Sequence, residues 1–229
     1  KISPFMDTFV LVGVVFVVVL ALTVHESAHA MVADWFGDPT ARMLGRVTLN
    51  PLPHIDPFGT IILPAMLWIM GSPVLLGGAK PVPVNLANFR RPWRDNAVVA
   101  FAGPASNLLQ AFFWSGLLSV LLHTGIWNVE SNGIPVLQAG ILANVILFIF
   151  NLMPIPPLDG SRIVASLLSP QARHRYLSLE PFGILIVLML IWFVEPARVL
   201  LTWTYFTVGE TISSITHLPV YWIPATLLK

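Results

Sequence analysis

From Thr8 to Val24 the chain runs seventeen residues without a charge, and then reads His25-Glu26-Ser27-Ala28-His29. As a helix the apolar run alone covers about 25 Å, most of the thickness of a bilayer's hydrocarbon core. The next stop signals are Gly37 and Pro39, after Trp35-Phe36. One long helix is therefore expected through all three ionisable residues, holding them at or just inside the edge of the lipid. Each such group costs roughly 2.5–3.5 kcal/mol to insert, histidine less when neutral, so the triplet calls for a partner that repays the cost.

Composition fixes the surroundings. Of 229 residues 56% are hydrophobic and only 10% charged, against about 25% charged in a soluble domain. An all-α polytopic membrane protein follows. The net charge of +1, with no lysine-rich block, gives no footprint for nucleic acid, and the absence of cysteine removes disulfides and thiolate ligands. The opening KISPFMD has neither a basic n-region nor an A-x-A site, so no cleavable signal peptide is expected. No repeat interrupts the chain. It reads as one membrane-embedded domain over 1–229, with a core over 8–168 and C-terminal helices within 178–217.

Further apolar segments run Phe58–Leu76, Asn96–Leu122, Ile134–Met153, Phe182–Val194 and Ala197–Val208. Pro64 and Gly71-Ser72-Pro73 punctuate the first of these, which suits a segment that bends back. The expectation is about five transmembrane helices plus this re-entrant segment. Charge supports it: with Phe58–Leu76 re-entrant, Arg42, Arg46, Lys80, Arg90, Arg91, Arg94, Arg162, Arg173 and Arg175 all share one face, nine of the twelve Lys and Arg residues. By the positive-inside rule that face is cytoplasmic. The stretch Ala197–Lys229 reads either as a short returning span or as a surface helix with Thr202, Thr204, Thr207 and Glu210 toward water.

His25 and His29, four apart, share a helix face and can aim two imidazole nitrogens at one ion. Glu26 lies 100° round, too far for a third ligand but within reach of a water on that ion. Two ligands and a general base are the working parts of metal-assisted hydrolysis. A third ligand must come from elsewhere, and His54, Asp56, His123, Asp159, His174 and His217 are available. Asp159 follows Asn151 and the helix-breaking Pro154, Pro156 and Pro157. From the residues alone it is equally an N-cap for the next helix. A metal transporter or a binding-only protein is the alternative class. Metal binding alone does not need Glu26, and a transporter would carry more His or acidic groups inside Asn96–Leu122 and Ile134–Met153.

The pairing of His25-Glu26-x-x-His29 with Asn151-x-x-Pro154-x-Pro156-x-x-Asp159-Gly160, and with Ala102-Gly-Pro-Ala-Ser-Asn107 between them, resembles the site-2 protease family of intramembrane zinc metalloproteases. The likeness extends from the first helix to about Leu168, without the PDZ or nucleotide-sensing domains some of the family carry. It implies one zinc held by His25, His29 and Asp159, Glu26 as the base, and Asn151 on the substrate backbone or oxyanion. It also implies transmembrane protein substrates, and residence in a lipid bilayer such as the cell membrane with the site toward the cytoplasm. Those ligands can meet only if an even number of crossings separates them, which again requires Phe58–Leu76 not to cross.

Two segments, Gly45–Leu49 and Ala79–Asn85, are expected as short membrane-associated β strands that could hold an extended substrate by edge pairing. His54 and Asp56, in NPLPHIDPFG, are candidates for a gate or an extra ligand, set against a simpler role in organising a turn-rich loop.

Overall fold

The computed structural model describes residues 8–62, 65–66, 69–70, 77–128 and 130–218. Among them are eight α-helices: α1 (Thr8–Trp35), α2 (Thr40–Met43), α3 (Pro92–His123), α4 (Ile134–Asn151), α5 (Asp159–Leu167), α6 (Pro170–Leu177), α7 (Gly183–Phe193) and α8 (Glu195–Thr216). Three of these, α1, α3 and α4, are long and apolar enough to cross a membrane. α7, with 11 residues, reaches only about 16 Å.

The burial pattern is that of a chain in lipid. On α1 the large side chains Phe9, Val12 and Phe16 point outward, while Thr23, His25, Ser27 and His29 are buried. On α3 and α4 the fully buried positions include Asn107, Ser115 and Asn144. Polar groups turn inward because lipid offers them no hydrogen bond. Ala21, Ala30 and Ala33 are also fully buried, and such small residues let helix backbones approach. An apolar cluster of Leu118, Ile141, Val145 and Ile212 joins α3, α4 and α8.

α1 stops where the sequence predicts. Gly37 adopts φ +102°, open to glycine at little cost, and the Asp38 N–H donates to Ala33 O at 2.9 Å. α3 begins four residues before the expected Asn96. Pro92 sits at its first turn, where a missing N–H costs nothing, and the Asp95 carboxylate accepts the Arg91 N–H at 2.8 Å.

The ends of the segment expected to be re-entrant meet. The Gly78 N–H donates to Gly59 O at 3.1 Å, and the Thr60 hydroxyl donates to Gly78 O at 2.6 Å. The chain thus leaves and returns at one place, as re-entry requires; much of the segment between lies outside the described residues.

No strand forms among the described residues, and this corrects the expectation of β elements at Gly45–Leu49 and Ala79–Asn85. The reason lies in what their edge groups already bind. The Arg46 guanidinium takes the carbonyls of Pro53, Lys80 and Pro81. The Lys80 N–H goes to His54 O at 2.8 Å, Pro81 and Pro83 have no N–H, and the Asn85 N–H goes to Asp38 at 2.7 Å. Ala79–Asn85 is an irregular strap, pinned by side chains at both ends.

Candidate metal centre

Three elements bring the site together. α1 supplies His25 and His29 from one face, α5 supplies Asp159 as its first residue, and α3 packs against both histidines. That close packing depends on Gly103: a Cβ there would sit 2.3 Å from His29 Nε2 and 2.6 Å from His25 Cε1. Asp159 makes no N-cap bond. The prolyl turn after α4 instead aims its carboxylate at the histidines, with Oδ2 at 3.2 Å from His25 Nε2 and 3.3 Å from His29 Nε2. The two Nε2 atoms are 3.1 Å apart.

The far side of each imidazole sets what those atoms are. His29 Nδ1 lies 2.7 Å from Val99 O, which can only accept, so Nδ1 carries the proton. For His25 the same conclusion comes through two asparagines. Asn144 Nδ2 donates to Gly140 O at 2.8 Å, which fixes its amide. Its Oδ1 then accepts Asn107 Nδ2 at 2.8 Å. Asn107 Oδ1 therefore faces His25 Nδ1, at 2.5 Å, as an acceptor. With Nδ1 committed on both rings, it is Nε2 that each imidazole turns toward the Asp159 carboxylate, the nitrogen free to act as a ligand.

Three lone-pair atoms converge in a triangle of 3.1–3.3 Å edges. Asp159 Oδ2 is buried with no hydrogen-bond partner. Ligand bonds of about 2.0 Å in a tetrahedron give edges of about 3.3 Å, so the set fits zinc with one position left open.

These residues line one cavity of about 390 Å³ together with Glu26 and Asn151, walled on one side by Pro81 and Val82 of the strap. One Glu26 oxygen, Oε2, accepts the Val82 N–H at 3.0 Å. Asn151 donates its amide to Leu147 O at 3.0 Å.

His54 and Asp56 are elsewhere. His54 is buried against the opposite face of α1, its Nε2 at 3.0 Å from Thr48 O and 3.4 Å from the Ser27 hydroxyl. Asp56 accepts the Gly59 N–H in the turn that opens the segment expected to be re-entrant. Neither lines the cavity. Asn107, Asn144, Gly103 and the Val82 N–H were not assigned roles from sequence. Only Asn107 and Gly103 had a signal, inside the AGPASN motif.

Fold and site together define a membrane protein with a His-His-Asp group between its helices that could hold a metal ion. Comparison with known proteins places it further. The model of peptidase family M50 matches residues 120–194. YwhC of Bacillus subtilis (strain 168), provisionally named a zinc metalloprotease, is 40% identical over 202 residues, 86% of each chain. Rip2 of Mycolicibacterium smegmatis, named in the same provisional way, is 33% identical over 196 residues, 79% of this chain and 71% of its own. No solved structure matches. The chain belongs to peptidase family M50, the site-2 protease family.

Proposed function

We propose that this protein is an intramembrane zinc metalloprotease that hydrolyses peptide bonds in or near the transmembrane segments of other membrane proteins, in regulated intramembrane proteolysis. One observation carries the reading: the three converging ligand atoms share a cavity with a carboxylate that is not a ligand. Counting α7 and α8 beside α1, α3 and α4 would give five membrane-embedded helices, with α7 too short to cross alone. The nine clustered cations argue for a site toward the cytoplasm of a cell membrane.

His25, His29 and Asp159 would hold the ion. When bound, zinc supplies a Lewis acid that polarises the scissile carbonyl and acidifies a water. Glu26 is the general base. The Val82 N–H steadies one of its oxygens, leaving the other to take the proton of the attacking water and return it to the leaving amine. Asn151 can turn its amide from Leu147 O toward the substrate backbone or the developing oxyanion. A cavity of about 390 Å³ admits a short extended stretch, not a helix, so the substrate must unwind before cleavage. The strap serves as a wall to that stretch, its own backbone groups being largely engaged.

The test combines zinc content with cleavage of a reconstituted transmembrane substrate. Glu26→Gln should retain near-stoichiometric zinc and lose cleavage, and Asp159→Ala should lose both. Full cleavage by Glu26→Gln would sink the mechanism. Zinc retained in Asp159→Ala would move the third ligand elsewhere.

A further inference from the structure

A second depression of about 570 Å³ lies where the end of α1 meets the start of α3, lined by Trp35, Phe36, Arg90, Arg91, Arg94 and Val98 among others. Four other arginines of the chain are engaged elsewhere. Arg42 pairs with Asp34 and Arg162 with Glu180, while Arg46 and Arg173 are bound to backbone carbonyls. The guanidinium groups of Arg90, Arg91 and Arg94 have no carboxylate or hydrogen-bond partner among the described residues, and all three are exposed. The carboxylate beside them, Asp95, is buried and turned to the Arg91 backbone N–H. Three like charges thus surround one depression without a counter-ion.

Below them the surface becomes apolar. On α3, Arg94, Val98 and Phe101 follow at spacings of four and three and so share one face; Val98 and Phe101 are 42% and 47% exposed. On α1, Trp35 and Met31 are exposed one turn apart. Both helices are membrane spans, so their junction lies at the lipid–water interface, the level at which tryptophan and arginine settle. A ligand that satisfies both parts needs an anionic head at the arginines and hydrocarbon along Val98, Phe101 and Met31.

We propose that this depression is a binding site for one anionic phospholipid, its phosphodiester held by Arg90, Arg91 and Arg94 and its acyl chains lying on the exposed face of α1 and α3. A nucleic acid or acidic peptide would satisfy the charge but leave the apolar stripe uncovered. The site is separate from the metal centre. α3 presents Asn96, Val99 and Ala100 to the catalytic cavity and Arg94 and Val98 to this one.

The test titrates the purified full chain in neutral detergent micelles with fluorescent phosphatidylglycerol or phosphatidylcholine. The expected result is saturable binding of one phosphatidylglycerol per chain, with phosphatidylcholine far weaker. With Arg90→Gln and Arg94→Gln combined, affinity should fall roughly thirtyfold while zinc content stays at the wild-type level. Equal affinity for the two lipids would overturn the proposal, as would wild-type affinity in the double variant. Displacement of the lipid by millimolar inorganic phosphate would assign the arginines to free phosphate and also overturn it. Should the double variant fail to retain zinc, salt dependence in the wild type decides: affinity must fall as ionic strength rises, and a flat response rejects the site.

Discussion

A zinc ligand in lipid is only as good as the atom that holds its other nitrogen. His25 owes its tautomer to Asn107, and Asn107 owes its orientation to Asn144, two fully buried amides on different helices. Asn107→Ala leaves His25 Nδ1 without an acceptor and frees the ring to rotate. Zinc affinity should fall about 10- to 100-fold, read by competition with a chelator. Asn144→Leu should lower it less, because Asn107 also reaches Ala21 O at 3.4 Å. Gly103→Ala drives a methyl into both imidazoles, so its zinc content should fall although no ligand is touched; normal zinc there would mean that α3 can draw back. The four principal residues were legible because their chemistry is encoded in residue type and spacing, at positions where polar groups are costly. Asn144 was not, since a single asparagine in an apolar helix identifies no partner until the fold puts Asn107 opposite it. The Val82 N–H was beyond reach altogether, because a backbone donor has no letter of its own.

The helices were readable at the level of elements because lipid leaves the chain few choices, and α1, α3 and α4 appear close to where hydrophobicity and stop signals put them. The strap was misread. Alternating residues with prolines suggest an edge strand, but strand formation depends on whether the edge groups are free, and here Arg46, His54, Glu26 and Asp38 take them. Asp38 is the anchor at one end. It accepts Thr40 N at 3.1 Å, Asn85 N at 2.7 Å and Asn88 Nδ2 at 2.7 Å. Burial alone would raise its pKa, but the hydrogen bonds from Thr40, Asn85 and Asn88 outweigh burial and hold it below the usual carboxylate range. Its contribution to stability is therefore complete above the unfolded value of about 3.9 and is lost as pH falls through the lower folded value. Thermal unfolding of the solubilised protein should show a melting temperature that drops on acidification below about pH 4. Asp38→Asn should start lower and show a smaller drop; an unchanged acid profile would remove Asp38 from the anchor. At the other end, Arg46→Ala strands three carbonyls, and a loss of about 1–3 kcal/mol in stability is expected in the same assay.

Across the whole molecule the metal is a tie between segments far apart in sequence. α1 and α5 would share the ion, and α3 packs against both histidines. A ligand that binds only the folded state stabilises it by mass action, about 2.7 kcal/mol at a hundredfold excess over Kd. Chelation should thus lower the melting temperature of wild type and of Glu26→Gln alike, and leave Asp159→Ala where it already stands. A chelator that shifts all three equally would be acting on something other than this site.

The distance between ligands along the chain also orders events during synthesis. His29 leaves the ribosome 130 residues before Asp159 (159 − 29 = 130), a delay of roughly 7–26 s at elongation rates of about 5–20 residues per second. Asn107 follows His29 by 78 residues (107 − 29) and Asn144 by 115 (144 − 29), so the two imidazoles and the carboxylate of α1 are made first, the asparagines that orient His25 next, and Asp159 last. Until Asp159 is made, a nascent chain therefore lacks one corner of the His-His-Asp group. The order of residues along the chain thus sets the order of assembly, and the prolyl turn supplies its last part.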